Sequence, residues 1–200
     1  MINNLQLQIE KICLILEKSL SLFNEYVPFS YYFPQIIKSG IKKFIDSKYY
    51  LDTSSINGIN NIDTKTIITY HDRPSRANME LVCDSVWFAK MKDSNKKLII
   101  TKNDQDLIDK YILSTGFLGI KSSNNLSLSF LSSIIISKEF NKQKNLNCVG
   151  TTMSSINNET LLKIFVSIVS KQQLKQYDDE YKHFIDLLSL FRRKIEIYKK

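Results

Sequence analysis

The sequence predicts an α+β protein. One mixed α/β unit is flanked by an N-terminal amphipathic helix and followed by a long C-terminal coiled-coil helix. Three observations carry this reading: an apolar stripe stepping by three and four at the start, short apolar runs split by turn chemistry through the middle, and a heptad seam at the end that no glycine or proline interrupts. The boundaries are 1–26 for the first helix, 27–158 for the mixed unit and 159–200 for the last helix.

The first helix is expected over residues 2–24, because Ile2, Leu5, Ile9, Ile12 and Leu16 fall on one side of a 3.6-residue period. Pro28 and Pro34 end the pattern, and PFSYYFP between them reads as aromatic and extended. Strands are expected at 48–51, 65–70, 85–91, 97–101, 111–115 and 117–121. Turn chemistry separates them: NGINN at 57–61, HDRPS at 71–75, KDSN at 92–95 and KSSNN at 121–125. A helix over 127–140 places Leu128, Leu131, Ile135 and Ile136 near one face. Val86, Phe88, Ile99, Phe117 and Ile120 read as core, with Trp87 on the opposite side of its strand as either a second core face, the favoured reading, or an exposed stacking surface. Gly116 and Gly150 read as turn formers.

The last helix carries Leu174, Tyr177, Tyr181, Phe184, Leu188, Phe191, Ile195 and Tyr198 at alternating spacings of three and four, a seam of about three and a half heptads. Its aromatic residues are too bulky for a parallel dimer zipper. They suit another helix, for which residues 2–24 of the same chain, running antiparallel, are a candidate.

Composition excludes several classes. Two hundred residues suit one ordinary domain, and 43% hydrophobic with 11% aromatic content is enough to bury a core. Three cysteines at wide spacing and two histidines give neither a disulfide framework nor a zinc site. The charged N-terminal segment lacks the form of a signal peptide, and no run approaches the ~18 apolar residues of a membrane span. A reducing cytoplasm is the expected compartment. No phosphate loop, dinucleotide fingerprint, GxSxG, HExxH or adenine-methyltransferase signature occurs, so no catalytic residues are assigned. His71 and His183 read as surface residues. Asp46-Ser47-Lys48 and Asp63-Thr64-Lys65 loosely fit a magnesium-nuclease pattern, which a chain this rich in Lys and Asp produces by chance.

What remains is recognition. Lys and Arg outnumber Asp and Glu by 28 to 20, a net charge of +8, which favours a polyanionic partner. Basic and hydroxyl side chains gather in the middle loops, and the expected DNA contacts are Arg73, Ser75, Arg76, Lys90, Lys92, Lys121, Ser122, Thr151 and Thr152. Such groups neutralise phosphates or bond base edges. Lys96, Lys97 and Ser123 belong to the same loops.

Several stretches resemble the specificity (S) subunit of type I restriction-modification systems. SGIKKFIDSKYYLDTSSI (39–56) is similar to the opening of its target-recognition domain. In TYHDRPSRANMELVCDSVWFAKMK (69–92), Pro74, Ser75, Arg76, Ala77, Asp84, Val86, Phe88 and Ala89 match a family pattern. YILSTGFLGI (111–120) resembles the family's Ser-Thr-Gly-Phe strand pair. Gly150, Thr151, Thr152 and Met153, followed by Ile156 and Asn157, resemble the loop that closes the domain. The combination spans about residues 39–200, and the heptad helix stands where the family has its spacer.

The resemblance implies a non-catalytic subunit that reads one half of a bipartite double-stranded DNA target. Its helices would serve as a ruler and as a dock for modification (methyltransferase) subunits, with S-adenosylmethionine and ATP on partner subunits and no cofactor in this chain. A separate motor/restriction subunit would translocate and cleave. Three departures stand out. The chain has room for one recognition domain rather than two, which implies a half-subunit that forms a homodimer or pairs with a second half. The family's Gly before the Asp84 strand is Cys83 here, and the proline-rich helix entry is replaced by FVSIVSKQQ at 165–173. The alternatives are a coiled-coil scaffold of the same fold without DNA reading, and a magnesium-dependent nuclease.

Overall fold

The strands and helices of this chain stack in layers, with helices on one side and two sheets face to face behind them. The description rests on a computed structural model and covers residues 1–150 and 154–199.

The helical layer begins with α1 (Ile2–Ser19), which a 3-10 turn at Leu20–Leu22 extends. Ile9, Ile12, Cys13 and Leu16 are buried along its stripe. The short strand β1 (Tyr26–Pro28) follows. The aromatic run after it departs from the extended form expected, because Phe29–Tyr32 is a 3-10 turn. Three-residue spacing puts Phe29 and Tyr32 together in the core, and the Tyr32 hydroxyl donates to the Ser167 carbonyl at 2.9 Å while accepting from the Val169 N–H at 3.0 Å. β2 (Gln35–Ile36) then joins the first sheet.

That sheet adds β6 (Ser85–Ala89), β7 (Lys97–Ile100) and β9 (Phe117–Lys121), in the order β2-β9-β6-β7 with every pair antiparallel. All five residues of β6 are buried, because both faces are covered. Val86, Phe88, Ile99, Leu118 and Ile120 meet the helices. Trp87, Ala89, Leu98, Ile100 and Phe117 meet the second sheet, so Trp87 does face a second core. Gly119 lies opposite Trp87 in register, and a Cβ there would come within 2.6 Å of the indole.

The second sheet holds β3 (Lys48–Leu51), β4 (Thr66–Ile68), β5 (Ala77–Glu80) and β8 (Tyr111–Ser114), in the order β4-β3-β8-β5. Only the central β3–β8 pair is parallel. Its outer side, formed by Tyr50, Ile68, Ala77 and Ile112, is covered by Ile41 and Phe44. Between β7 and β8 the chain makes α2 (Gln105–Lys110), too short to show a period in the sequence.

The helix expected over 127–140 is two helices, α3 (Leu128–Ile136) and α4 (Lys138–Leu146). Ser137 divides them: its hydroxyl donates to the Ile134 carbonyl at 2.8 Å and accepts from the Phe140 N–H at 3.1 Å, closing one helix and capping the next. After a single turn, α5 (Asn158–Leu161), β10 (Phe165–Ser167) pairs with β1. The long helix α6 (Lys171–Tyr198) therefore begins well after residue 159. It opens on a capping box, with Gln173 N–H on the Ser170 hydroxyl at 3.2 Å and Ser170 N–H on Gln173 Oε1 at 2.8 Å.

α6 packs on α1 and α3. The Tyr177 hydroxyl donates to Ser133 Oγ at 2.6 Å and also bonds Ser19, so the end of α1 meets the start of α6. Leu174, Tyr177, Tyr181, Leu188 and Ile195 are buried, whereas Phe184 and Phe191 are half-buried and Tyr198 is exposed. At those two positions the buried stripe runs one residue later, through Ile185 and Arg192, with Ser189 also turned inward.

Candidate nucleic-acid interface

Backbone pairing gathers four loops along one rim, where β5 starts, β6 ends and β8 turns into β9. The Thr115 N–H donates to the Arg76 carbonyl at 2.8 Å, Lys90 N–H to the Gly116 carbonyl at 2.9 Å, and Lys92 N–H to the Ser154 carbonyl at 3.0 Å. Ile156 N–H reaches the Lys90 carbonyl at 3.0 Å. Ser75, Arg76 and Lys92 are exposed on this rim, and Arg73 and Lys90 are half-buried.

Thr151 and Thr152 lie outside the described residues. Their flanks belong to the same rim: Gly150 has φ 115°, Ser154 Oγ donates to the Gly150 carbonyl at 2.6 Å, and Val149 and Ser155 exchange backbone bonds at 3.0 Å each. A left-handed φ of that size suits glycine.

Lys121 and Ser122 are not brought to this rim. They sit at the far end of β9, where Ser122 N–H donates to the Asp84 carbonyl at 2.8 Å at the start of β6. Four strand steps separate the two ends, about 13 Å. There they line a cleft of about 500 Å³ together with Lys102, Lys182, Asp178 and Asp186. The turn before β6 accommodates Cys83 because Asp84, not residue 83, takes the left-handed φ of 53°.

The basic side chains divide into presented and internal ones. The guanidinium of Arg73 lies 4.1 Å from the centre of the Tyr70 ring and donates to that residue's own carbonyl, which fixes the 69–76 loop. Lys96 Nζ donates to the Thr53 carbonyl at 2.6 Å. Lys97 is buried, bonded to Asn95 and, at 3.1 Å, to Asn141. Burial above all, and then the charge of Lys144, pushes the Lys97 amine down to about 7. Burial alone lowers the Lys90 amine. Arg76 and Lys92 are thus the cations the rim offers most openly.

A loop at 52–55 also reaches this rim. Asp52 Oδ1 accepts from the N–H groups of Ser54 and Ser55 at 2.8 and 2.9 Å, and the Thr53 methyl lies 2.9 Å from where a Cβ on Gly116 would stand. Its run of three hydroxyl residues was the available signal.

Burial raises all three thiols, Cys13 to about 12, which is the opposite of nucleophile activation. His71 and His183 are exposed. Asp63 pairs with Lys199 at 3.3 Å, and Asp46 stands on a separate exposed bend. Among the described residues no group of three acidic, histidine or cysteine side chains can hold a metal ion, and no helix is long and apolar enough to cross a membrane.

No family model and no curated protein matches the chain by sequence. Solved structures do match by fold. A chain of a type I R-M system, solved for the basis of its complex assembly and conformational transition, superposes with a TM-score of 0.59 at 16% identity, over 84% of this chain and 44% of that one. The HsdS subunit from Thermoanaerobacter tengcongensis superposes with a TM-score of 0.55 at 15% identity, over 80% of this chain and 43% of its own length. The chain thus has the fold of a type I restriction-modification specificity subunit, over a span less than half the length of either solved chain.

Proposed function

We propose that this chain is a sequence-specific DNA-recognition subunit of a type I restriction-modification system, reading one half of a bipartite target through the rim of Arg76 and Lys92. The observation that carries the reading is the fold match over 84% of the chain. The presented cations on one rim, on a chain of net charge +8, agree with it.

In this reading the chain performs no chemistry. Arg76 reads a guanine edge or a phosphate, and Lys92 neutralises a phosphate; Thr151 and Thr152 are further contacts proposed from the sequence. α1 and α6 set the distance to a second recognition unit and carry the modification subunits. Those partners bind S-adenosylmethionine and flip the target base, and a motor/restriction subunit uses ATP. Two copies of the chain, or this chain and a second half, supply the two halves of the target, and a symmetric pair reads an interrupted palindrome. The working compartment is the cytoplasm, where the DNA and the partner subunits are.

The test is a bind-and-sequence selection on randomised duplex DNA at moderate salt, with the oligomeric mass recorded alongside. A two-part palindrome at fixed spacing from a dimeric species is the expected result. An unenriched pool from folded protein, with and without a modification subunit, overturns the reading.

A further inference from the structure

We infer that Lys144 is a positioning residue for the rim: from the last turns of α4 it fixes the hairpin whose tip presents Lys92. The inference rests on the DNA-binding reading above and adds to it a residue that never touches the duplex.

The turn joining β6 to β7 is held by α4 through side chains as well as by backbone bonds. It spans residues 90–96 and has Asp93 in a left-handed conformation at φ 60°, which a side chain disfavours. α4 ends beside it. Lys144 is 1% exposed, and its Nζ donates to the Met91 carbonyl at 2.7 Å and to the Ser94 carbonyl at 3.1 Å. These two oxygens bracket the turn. The next residue doubles the grip: Asn145 Oδ1 accepts from the Asp93 N–H at 3.0 Å, and its Nδ2 donates to Asp93 Oδ1 at 2.9 Å. On the other side Lys92 N–H is held by Ser154. The backbone of Lys92 is therefore fixed from two directions while its side chain stays exposed.

Packing does not account for a lysine here. A methionine fills much the same volume without the cost of desolvating an ammonium group, and burial does lower the Lys144 amine. What the ammonium supplies and a thioether cannot is a pair of strong bonds to main-chain carbonyls that the strand ladder leaves over. Their geometric effect is to define the shape of the turn, and the residue that turn displays is Lys92.

The experiment compares wild type, Lys144→Met, Lys92→Ala and the double variant of the full chain, titrated against a duplex recovered by the selection above over a range of salt. Thermal unfolding is followed in parallel. A positioning role makes Lys144→Met lose about tenfold in affinity and about one unit of salt slope, while Lys144→Arg keeps most of both. In the Lys92→Ala background the same change costs less than twofold, because no charge is left to position. A merely structural role lowers the melting temperature but leaves the loss undiminished in that background, and this result overturns the inference, as does wild-type affinity in Lys144→Met. Should Lys144→Met not fold, Asn145→Ala removes the second half of the grip from a half-buried site, and the same non-additivity with Lys92→Ala decides. A wild-type chain that enriches no duplex overturns the DNA reading itself, a distinct outcome.

Discussion

Arg192 on α6 and Asp104 before α2 form an ion pair at 2.5 Å in which neither side chain touches solvent. Arg192 Nη1 also donates to the Ile99 carbonyl at 2.6 Å and to Asn60 Oδ1 at 3.3 Å. Asp104 accepts from the Ser189 hydroxyl at 2.6 Å and from the backbone and hydroxyl of Thr101 at 2.8 Å each. Its carboxylate thus serves the long helix rather than capping α2. One network ties α6 to β7 and to the 57–61 loop, joining the long helix to the first sheet.

Removing one partner leaves a buried charge uncompensated. Arg192→Met is expected to lower the unfolding free energy by about 3–5 kcal/mol, read as a drop in urea midpoint at unchanged slope. Asp104→Leu with Arg192→Met is expected to cost far less than the two single changes added together. Strict additivity would show that the two groups are not coupled. Burial pushes the Asp104 carboxyl up, but the Arg192 charge and the surrounding donors outweigh it and hold the group below its usual value. A lowered carboxylate contributes stability that is present above about pH 4 and lost as pH falls through the folded value. Acid unfolding followed by circular dichroism should therefore be steeper in wild type than in the double variant.

Lys97 gives the opposite sign. Its amine is pushed down from 10.5 to about 7, so between these values the unfolded chain binds a proton that the folded chain does not. Stability is then expected to rise with pH from about 7 to about 10, by at most ~1.4 kcal/mol per unit. Lys90 and Lys144 shift in the same direction and add to the slope. Urea melts at pH 7, 8 and 9 test this: Lys97→Met should flatten the rise, and an unchanged slope in that variant would assign it to the other lysines.

Which parts of this were legible in the sequence follows from what periodicity records. Alternation found β3 and β9 to the residue and put Trp87 on a second core, because both faces of β6 are apolar and the pattern survives burial. It passed over β1, β2 and β10, which are two or three residues long, and β5, whose run Ala77–Glu80 includes Asn78 and Glu80. The apolar seam of α6 could not announce Ser189 and Arg192 as inward-facing, since their burial depends on Asp104, 85 residues earlier than Ser189. Charge counting named Lys96 and Lys97 with the exposed cations, although one is held by a carbonyl and the other is buried between amides. The split of the expected contacts between two ends of the sheet is a matter of strand pairing, which local sequence does not carry.

Gly119 tests the close stacking of Trp87 on β9. A methyl at this position would overlap the indole at 2.6 Å, and the indole cannot yield because its Nε1 is bonded to Ser85 Oγ at 2.8 Å inside the core. Gly119→Ala is expected to destabilise by about 1–3 kcal/mol, with partial recovery in Trp87→Phe, whose smaller ring leaves room. Thermal unfolding of the two single variants and the pair decides; equal melting temperatures for wild type and Gly119→Ala would show that the sheet opens to admit the methyl.

The two ends of β9 separate the basic residues into groups with different expected effects on DNA binding. Arg76 and Lys92 share the rim, whereas Lys121 stands about 13 Å away along the strand and faces a cleft that also holds Asp178 and Asp186. At 0.15 M ionic strength that separation exceeds the ~8 Å screening length, so Lys121 contributes little to a duplex lying on the rim. Lys92→Ala should weaken all sequences alike and reduce the salt slope by about one unit. Arg76→Ala should cost ~1–3 kcal/mol and relax preference at one base pair where the guanidinium reads a guanine, or behave as Lys92→Ala where it meets a phosphate. Lys121→Ala should leave affinity within about twofold and the slope unchanged. Titrations of the three variants against one selected duplex at several salt concentrations separate these effects; a loss at Lys121 equal to that at Lys92 would move the interface off the rim and onto the cleft beside α6.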